Sequence, residues 1–146
     1  MRVGILACSK TKAATPCAAV DLYQGRVFRA SVAVLRAKGC DRLVILSALH
    51  GAVLDDTVLA PYERCLSDLD AAGRRAWAQA TSAQLFNLIL PNATGPEVLA
   101  IVPALYAPAL ADLPRVTRLF AGLPQGRLYQ ALRAELTTLS TTPEAA

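Results

Sequence analysis

Five consecutive residues, Cys8-Ser9-Lys10-Thr11-Lys12, follow directly on the apolar run Val3–Ala7. Two lysines, two hydroxyls and successive backbone N–H groups in one loop can surround an anion. The loop lacks the glycines of a nucleoside-triphosphate or dinucleotide phosphate turn, so neither fingerprint applies. Ser9 and Lys10 are adjacent, and an extended backbone points neighbouring side chains apart, which argues against a Ser–Lys nucleophilic pair. Cys8 is a nucleophile if the lysines stabilise its thiolate; the plainer alternative is a thiol packed at a strand end.

A second group follows the apolar run Leu43–Leu46, in Ser47-Ala48-Leu49-His50-Gly51. His50 is the only histidine. Its imidazole can take or give a proton near neutrality, with a structural histidine bonded to nearby backbone as the alternative. Asp55, Asp56 and Glu63 follow closely; Asp55 or Glu63 is expected to orient the imidazole or activate water. No GxSxG elbow is present, which weakens any serine-hydrolase triad. Tyr23 and Tyr62 are expected near these loops, as platforms for a base or as amphipathic residues at the core edge. Gln125-Gly126-Arg127 opens a helix after another apolar run, where N-terminal amides, helix dipole and guanidinium suit a phosphate or carboxylate.

These residues need a scaffold that collects strand ends. Apolar runs at Val3–Ala7, Leu43–Ser47 and Val98–Val102 read as buried strands, and Arg115–Phe120 as a fourth. Between them lie helices expected around Leu22–Lys38, with Phe28, Val32 and Leu35 on one face, and from a cap at Asp70 to about Leu90 before Pro91-Asn92. A last helix is expected over Arg127–Leu136, with Leu128, Leu132 and Leu136 as its apolar stripe. Ala48–Leu66 shows no period and reads as an ordered functional loop. Pro103, Tyr106 and Pro108 mark a short helix or turn.

Alternating strands and helices define an α/β class: a three-layer Rossmann-like domain with a mainly parallel sheet of four or five strands. Ligands of such sheets bind beyond the carboxyl ends of the strands, where each polar group above falls. One domain over residues 1–139 with a fraying tail at 140–146 fits a chain of 146 residues.

Composition excludes several classes. At 54% hydrophobic and 18% charged, the chain is too apolar for disorder, yet no apolar run approaches the ~20 residues of a membrane span. No leader is apparent, so a cytoplasmic location without membrane association is expected. Cys8, Cys17, Cys40 and Cys65 form no CxxC pair and have no histidine at zinc spacing, so no metal and no cofactor are expected. The formal net charge is +4. Met1–Cys40 and Pro114–Arg133 carry most of the excess, separated by an acidic Asp41–Arg75 and a stretch without Lys or Arg over Ala76–Leu113. An electropositive site results if folding joins the two ends.

The strings Ala7-Cys8-Ser9-Lys10, Asp21-Leu22-Tyr23 with Phe28, Ile45-Leu46-Ser47-Ala48 with His50-Gly51, and Pro61-Tyr62-Glu63 resemble an uncharacterised bacterial and phage family of YaaA-like domains. Gly122-Leu123 with Gly126 is similar to that family's closing helix start. The resemblance spans roughly Met1–Leu132, and Ser47–Gly51 is its most specific part. Glu63 stands where the pattern more often has Asp, and Ala52-Val53 where it often has Gly-Leu or Leu-Val. The resemblance implies a connection to nucleic-acid or nucleobase metabolism without defining a reaction.

Taken together, these residues lead to the expectation of a small enzyme acting on a nucleotide, nucleoside or modified nucleobase, by hydrolysis or glycosyl transfer. Its catalytic residues would be His50, Asp55 and Glu63. A small anionic ligand would be held by Cys8, Ser9, Lys10, Lys12, Tyr23, Ser47, Tyr62, Gln125 and Arg127. The alternative is a non-catalytic nucleic-acid-binding module using both basic blocks.

Overall fold

Alternation along the strands divides the core into two halves. Leu6, Leu43, Ile45, Leu99 and Ile101 pack on one side of a sheet, and Val3, Ile5, Val44, Leu46, Val98, Ala100 and Val102 on the other, because successive side chains of a strand point to opposite faces. The computed structural model describes residues 2–89 and 97–141. Its five-stranded sheet contains β1 (Arg2–Ala7), β3 (Arg42–Ser47), β4 (Gly51–Leu54), β6 (Glu97–Ile101) and β7 (Val116–Arg118), in the order β4-β3-β1-β6-β7. β1, β3, β6 and β7 run parallel, and β4 pairs antiparallel with β3. A small second sheet joins β2 (Cys17–Ala18) to β5 (Val58–Leu59).

Helix α1 (Ala19–Leu22) is a single turn, while α2 (Arg26–Ala37) and α4 (Gln125–Thr141) pack together on one face. Phe28, Val34 and Leu35 of α2 and Leu128 and Leu132 of α4 fill that half of the core. On the other face lie α3 (Ala71–Ile89) and a short 3-10 turn, Ala107–Leu110, contributing Leu85, Ile89, Ala109 and Leu110. The result is the three-layer, Rossmann-like α/β arrangement expected from the strand and helix alternation.

Several boundaries differ from the sequence reading, each for a physical reason. Ala48–Leu66 is irregular only in part: Gly51, at φ +78°, turns the chain sharply into β4, which supplies the fifth strand, and β5 follows, while residues 60–65 form no regular element. The helix expected from Leu22 breaks at Tyr23–Gly25, because Tyr23 is extended and bridges Lys12 instead. On α2, Val34 rather than Val32 joins Phe28 and Leu35 as fully buried. The strand expected over Arg115–Phe120 contracts to Val116–Arg118, since Arg115 and Phe120 adopt left-handed φ values of 57° and 56°. Helix α4 begins at Gln125 and continues to Thr141, past the boundary expected at Leu139; the rest of the expected tail lies outside the described residues. Asp70 does cap α3, its Oδ1 accepting the Gly73 N–H at 2.7 Å. The stop expected at Pro91-Asn92 lies outside the described residues.

Candidate functional site

From β1 the chain proceeds through α2 to β3 on one side, then through α3 to β6 on the other. The carboxyl ends of β1 and β6 therefore flank the point where strand order reverses, the usual crevice for ligands in open α/β sheets. A cavity of about 360 Å³ opens there. Its walls are Cys8, Ser9 and Lys10 after β1, Arg26 and Phe28 from the first turn of α2, Pro103 and Tyr106 after β6, and Gln125 and Leu128 from α4. A second chamber of about 350 Å³ shares Ile101, Pro103, Gln125 and Leu128 with the first and extends to Arg118, Phe120 and Leu123. Arg118 is held by two hydrogen bonds from Nε and Nη2 to the Val102 carbonyl.

The close approach of α2 to the first loop depends on Gly25. Its N–H donates to Ser9 Oγ at 3.1 Å, and a Cβ at this position would stand 2.7 Å from Ser9 Cβ. Ser9 in turn donates to the Thr11 carbonyl, and Thr11 O accepts the Gln24 N–H. The first turns of α2 and α4 both border this cavity, and helix N-termini offer N–H groups without intrahelical partners and a positive dipole end.

Beside the cavity lies a cluster of hydroxyls and rings. Ser47 Oγ is 2.6 Å from Tyr62 Oη, which is 2.6 Å from Tyr23 Oη. Ser47 Oγ accepts the Leu49 and His50 backbone N–H groups, so its own proton points to Tyr62, and Tyr62 donates onward to Tyr23. The His50 ring stands edge-on to Tyr62 with centroids 5.3 Å apart, and Lys12 Nζ lies 4.4 Å from the Tyr62 ring centre. Trp77 Nε1 donates to the Ser47 carbonyl at 3.0 Å, and its ring meets Tyr106 edge-on. Tyr106 Oη lies 3.4 Å from Cys8 Sγ, which joins this cluster to the cavity wall. Burial pushes the Tyr23 phenol up and the Tyr62 and Tyr106 phenols well above their usual range, with Cys8 acting in the same direction.

The expected site residues thus fall into separate places. Cys8, Ser9, Lys10 and Gln125 share the cavity. Lys12, Tyr23, Ser47, His50 and Tyr62 form the adjoining cluster. Arg127 lies in the first turn of α4, at the same end of the sheet as Lys10, and is exposed. Glu63 is exposed beside Tyr62, without a hydrogen-bond or ion-pair partner among the described residues. Asp55 is elsewhere: β4 carries the chain back along β3, and Asp55 pairs with Arg42 at 3.3 Å, at the amino end of that strand. The four residues of β4 separate it from His50, roughly 15 Å in extended chain, so it cannot orient the imidazole. Tyr23 is fully buried and cannot stack on a ligand base; its role is packing and hydrogen bonding.

Gly25, Trp77, Tyr106 and Phe28 were not anticipated at the site. Gly25, next to the Tyr23 string, was the one with a visible signal; the other three look like core residues until the strand order is known. The four cysteines are free thiols, and no group of three or more His, Cys, Asp or Glu among the described residues is placed to hold a metal ion. No helix among the described residues is long and apolar enough to cross a membrane.

Fold and crevice together define a Rossmann-like α/β domain with a ligand-sized cavity at its strand-order reversal. The chain belongs to a family of unknown function, DUF6884, whose model matches residues 3–134. Neither curated proteins nor solved structures provide a match.

Proposed function

We propose that this protein is a small enzyme that binds a nucleotide, nucleoside or modified nucleobase and acts on it by hydrolysis or glycosyl transfer. The observation that carries this reading is the pair of adjoining chambers at the ends of β1 and β6. Each is of the size that encloses a small ligand. The first has the chemistry for a phosphate: Ser9, the Lys10 ammonium and two helix starts. The second has the chemistry for a planar base, with Phe120, Leu123 and the Arg118 guanidinium. Phe120 replaces Tyr23 and Tyr62 as the stacking residue in this reading, and Arg127 supplies charge at the mouth. The likeness to YaaA-like domains, with its connection to nucleobase metabolism, supports the same substrate class.

His50 is the proton-transfer group of this reading, with Glu63 as the carboxylate within the same loop cluster. Cleavage of an N-glycosidic bond builds positive charge on the sugar, which a nearby carboxylate stabilises.

A thermal-shift panel of nucleobases, nucleosides and nucleoside monophosphates tests the binding step, since a ligand that binds the native state raises its melting temperature. At least one nucleoside monophosphate is expected to stabilise the protein, and Lys10→Ala and Arg127→Ala are each expected to reduce the shift without changing the unliganded melting temperature. For the best ligand, product release is then followed chromatographically. His50 is exposed, so His50→Ala is expected to keep the melting temperature while turnover falls by about 10²–10⁴-fold. A panel without a single stabilising compound defeats the binding reading, and full turnover by the His50 variant removes it from the mechanism.

A further inference from the structure

The two basic blocks of the sequence meet in the folded chain along the packed pair α2 and α4. These helices carry Arg26, Arg29, Arg36, Arg127 and Arg133, and all five are exposed. Their one carboxylate among the described residues is Glu135, which Lys38 neutralises at 3.1 Å. The arginines are arranged rather than scattered. Arg26 Cζ lies 4.5 Å from the Tyr129 ring centre across the seam, and Arg133 donates to Tyr129 Oη at 3.1 Å. Arg29 and Arg36 share one exposed face of α2, about a fifth of a turn round from Arg26, with Arg29 braced by Gln24 at 2.8 Å. This arginine surface is continuous with the crevice, because Arg26 lines the first chamber.

A free mononucleotide in the chambers uses only Arg26 and Arg127 of these five and leaves Arg29, Arg36 and Arg133 without a partner anion. We infer that the α2/α4 seam is a track for the phosphodiester backbone of a nucleic-acid strand, one of whose nucleotides enters the cavity. The delivery of that nucleotide rests on the reading above; the binding of the strand does not. Guanidinium groups suit this partner because their planar donor fork fits phosphate oxygens and their charge persists at all accessible pH. Arg26, Arg29 and Arg36, about 4.5 Å and then about 10 Å apart along the α2 axis, offer several guanidinium groups to a polyanion, whereas a single small anion would occupy only one.

Fluorescence anisotropy with a labelled single-stranded DNA and a labelled single-stranded RNA, titrated across a salt series, tests this directly. Binding to at least one strand is expected, with log affinity falling linearly against log salt. The double variant Arg29→Glu/Arg36→Glu lies outside the cavity. It is expected to bind the strand at least about tenfold more weakly and to lose about 0.7 of slope per contact removed. Arg29→Lys/Arg36→Lys, which keeps both charges, is expected to retain most of the slope and serves if the glutamate pair unfolds. Absence of strand binding at low salt overturns the inference, as does an unchanged slope in the glutamate variant. Binding of polyglutamate with the affinity of the strand also overturns it, by assigning the seam to acidic polypeptides. Nucleoside-monophosphate stabilisation, read by thermal shift, is expected to survive in the double variant. Absence of strand binding by the unsubstituted protein, with its mononucleotide shift present, rejects the track alone, and strand binding without any mononucleotide shift rejects the cavity reading alone.

Discussion

Gly25 shows how one absent side chain sets the geometry of the crevice. With no Cβ, its backbone approaches Ser9 closely enough to donate to Oγ, and α2 starts against the first loop. Gly25→Ala introduces a methyl 2.7 Å from Ser9 Cβ, an overpacked contact of the kind that costs about 1–3 kcal/mol. Urea denaturation is expected to show that loss, and Ser9→Gly in the same chain is expected to restore part of it by making room. If the double variant is no more stable than Gly25→Ala, the contact is not the cause. Gly51 is a comparable case on the other side: its φ of +78° and the Gln84 carboxamide, whose oxygen accepts the Ala52 N–H at 2.8 Å, leave no space for a side chain.

Among the elements, α3 is the long helix whose placement the site most depends on. It brings Trp77 to the Ser47 carbonyl and Gln84 to the start of β4, so it braces both the turn that carries His50 and the strand after it. Its charge pattern supplies no acid in the first turn, and the Asp70 cap carries the N-terminal end. Asp70→Ala is expected to destabilise the protein by about 1 kcal/mol in urea, while Asp70→Asn, which keeps an accepting oxygen, is expected to cost much less. Equal losses in the two variants would show that charge and not the hydrogen bond to Gly73 matters there.

For the molecule as a whole, three phenols, Tyr23 buried and Tyr62 and Tyr106 half-buried, converge at the carboxyl ends of β1 and β3, and their raised pKa values couple stability to alkaline pH. A folded-state pKa above the unfolded value near 10 means that the native state retains protons the unfolded chain has released. The contribution is fully present below about pH 10 and is lost as pH rises toward the folded values. Urea midpoints are accordingly expected to fall steeply above about pH 10. In Tyr106→Phe, where one of the three groups is removed and the Cys8 thiol and the Leu66 backbone each lose a partner, the fall is expected to be shallower. An identical slope would place the alkaline transition on other groups.

Much of this architecture was legible in residue patterns. Continuous apolar runs at Val3–Ala7 and Leu43–Ser47 can only be strands covered on both faces, and Asp70 and the leucine stripe of the last helix mark their elements by local chemistry alone. Polar residues directly after strands could be assigned to one crevice because parallel strands end together, which brought out Cys8, Ser9, Lys10, Ser47, His50 and Gln125. What depended on the tertiary structure was every relation between segments distant in the chain. Asp55 is close to His50 in sequence, yet an antiparallel β4 carries it to the far end of β3, and no local signal distinguishes a strand that returns from a loop that stays. Tyr23 reads as an amphipathic residue at an edge, but its ring is packed among Phe28, Tyr62 and Lys12 from three separate segments. Tyr106 and Trp77 reached the site only because strand order placed β6 beside β1, and strand order is decided by the packing of both core halves at once.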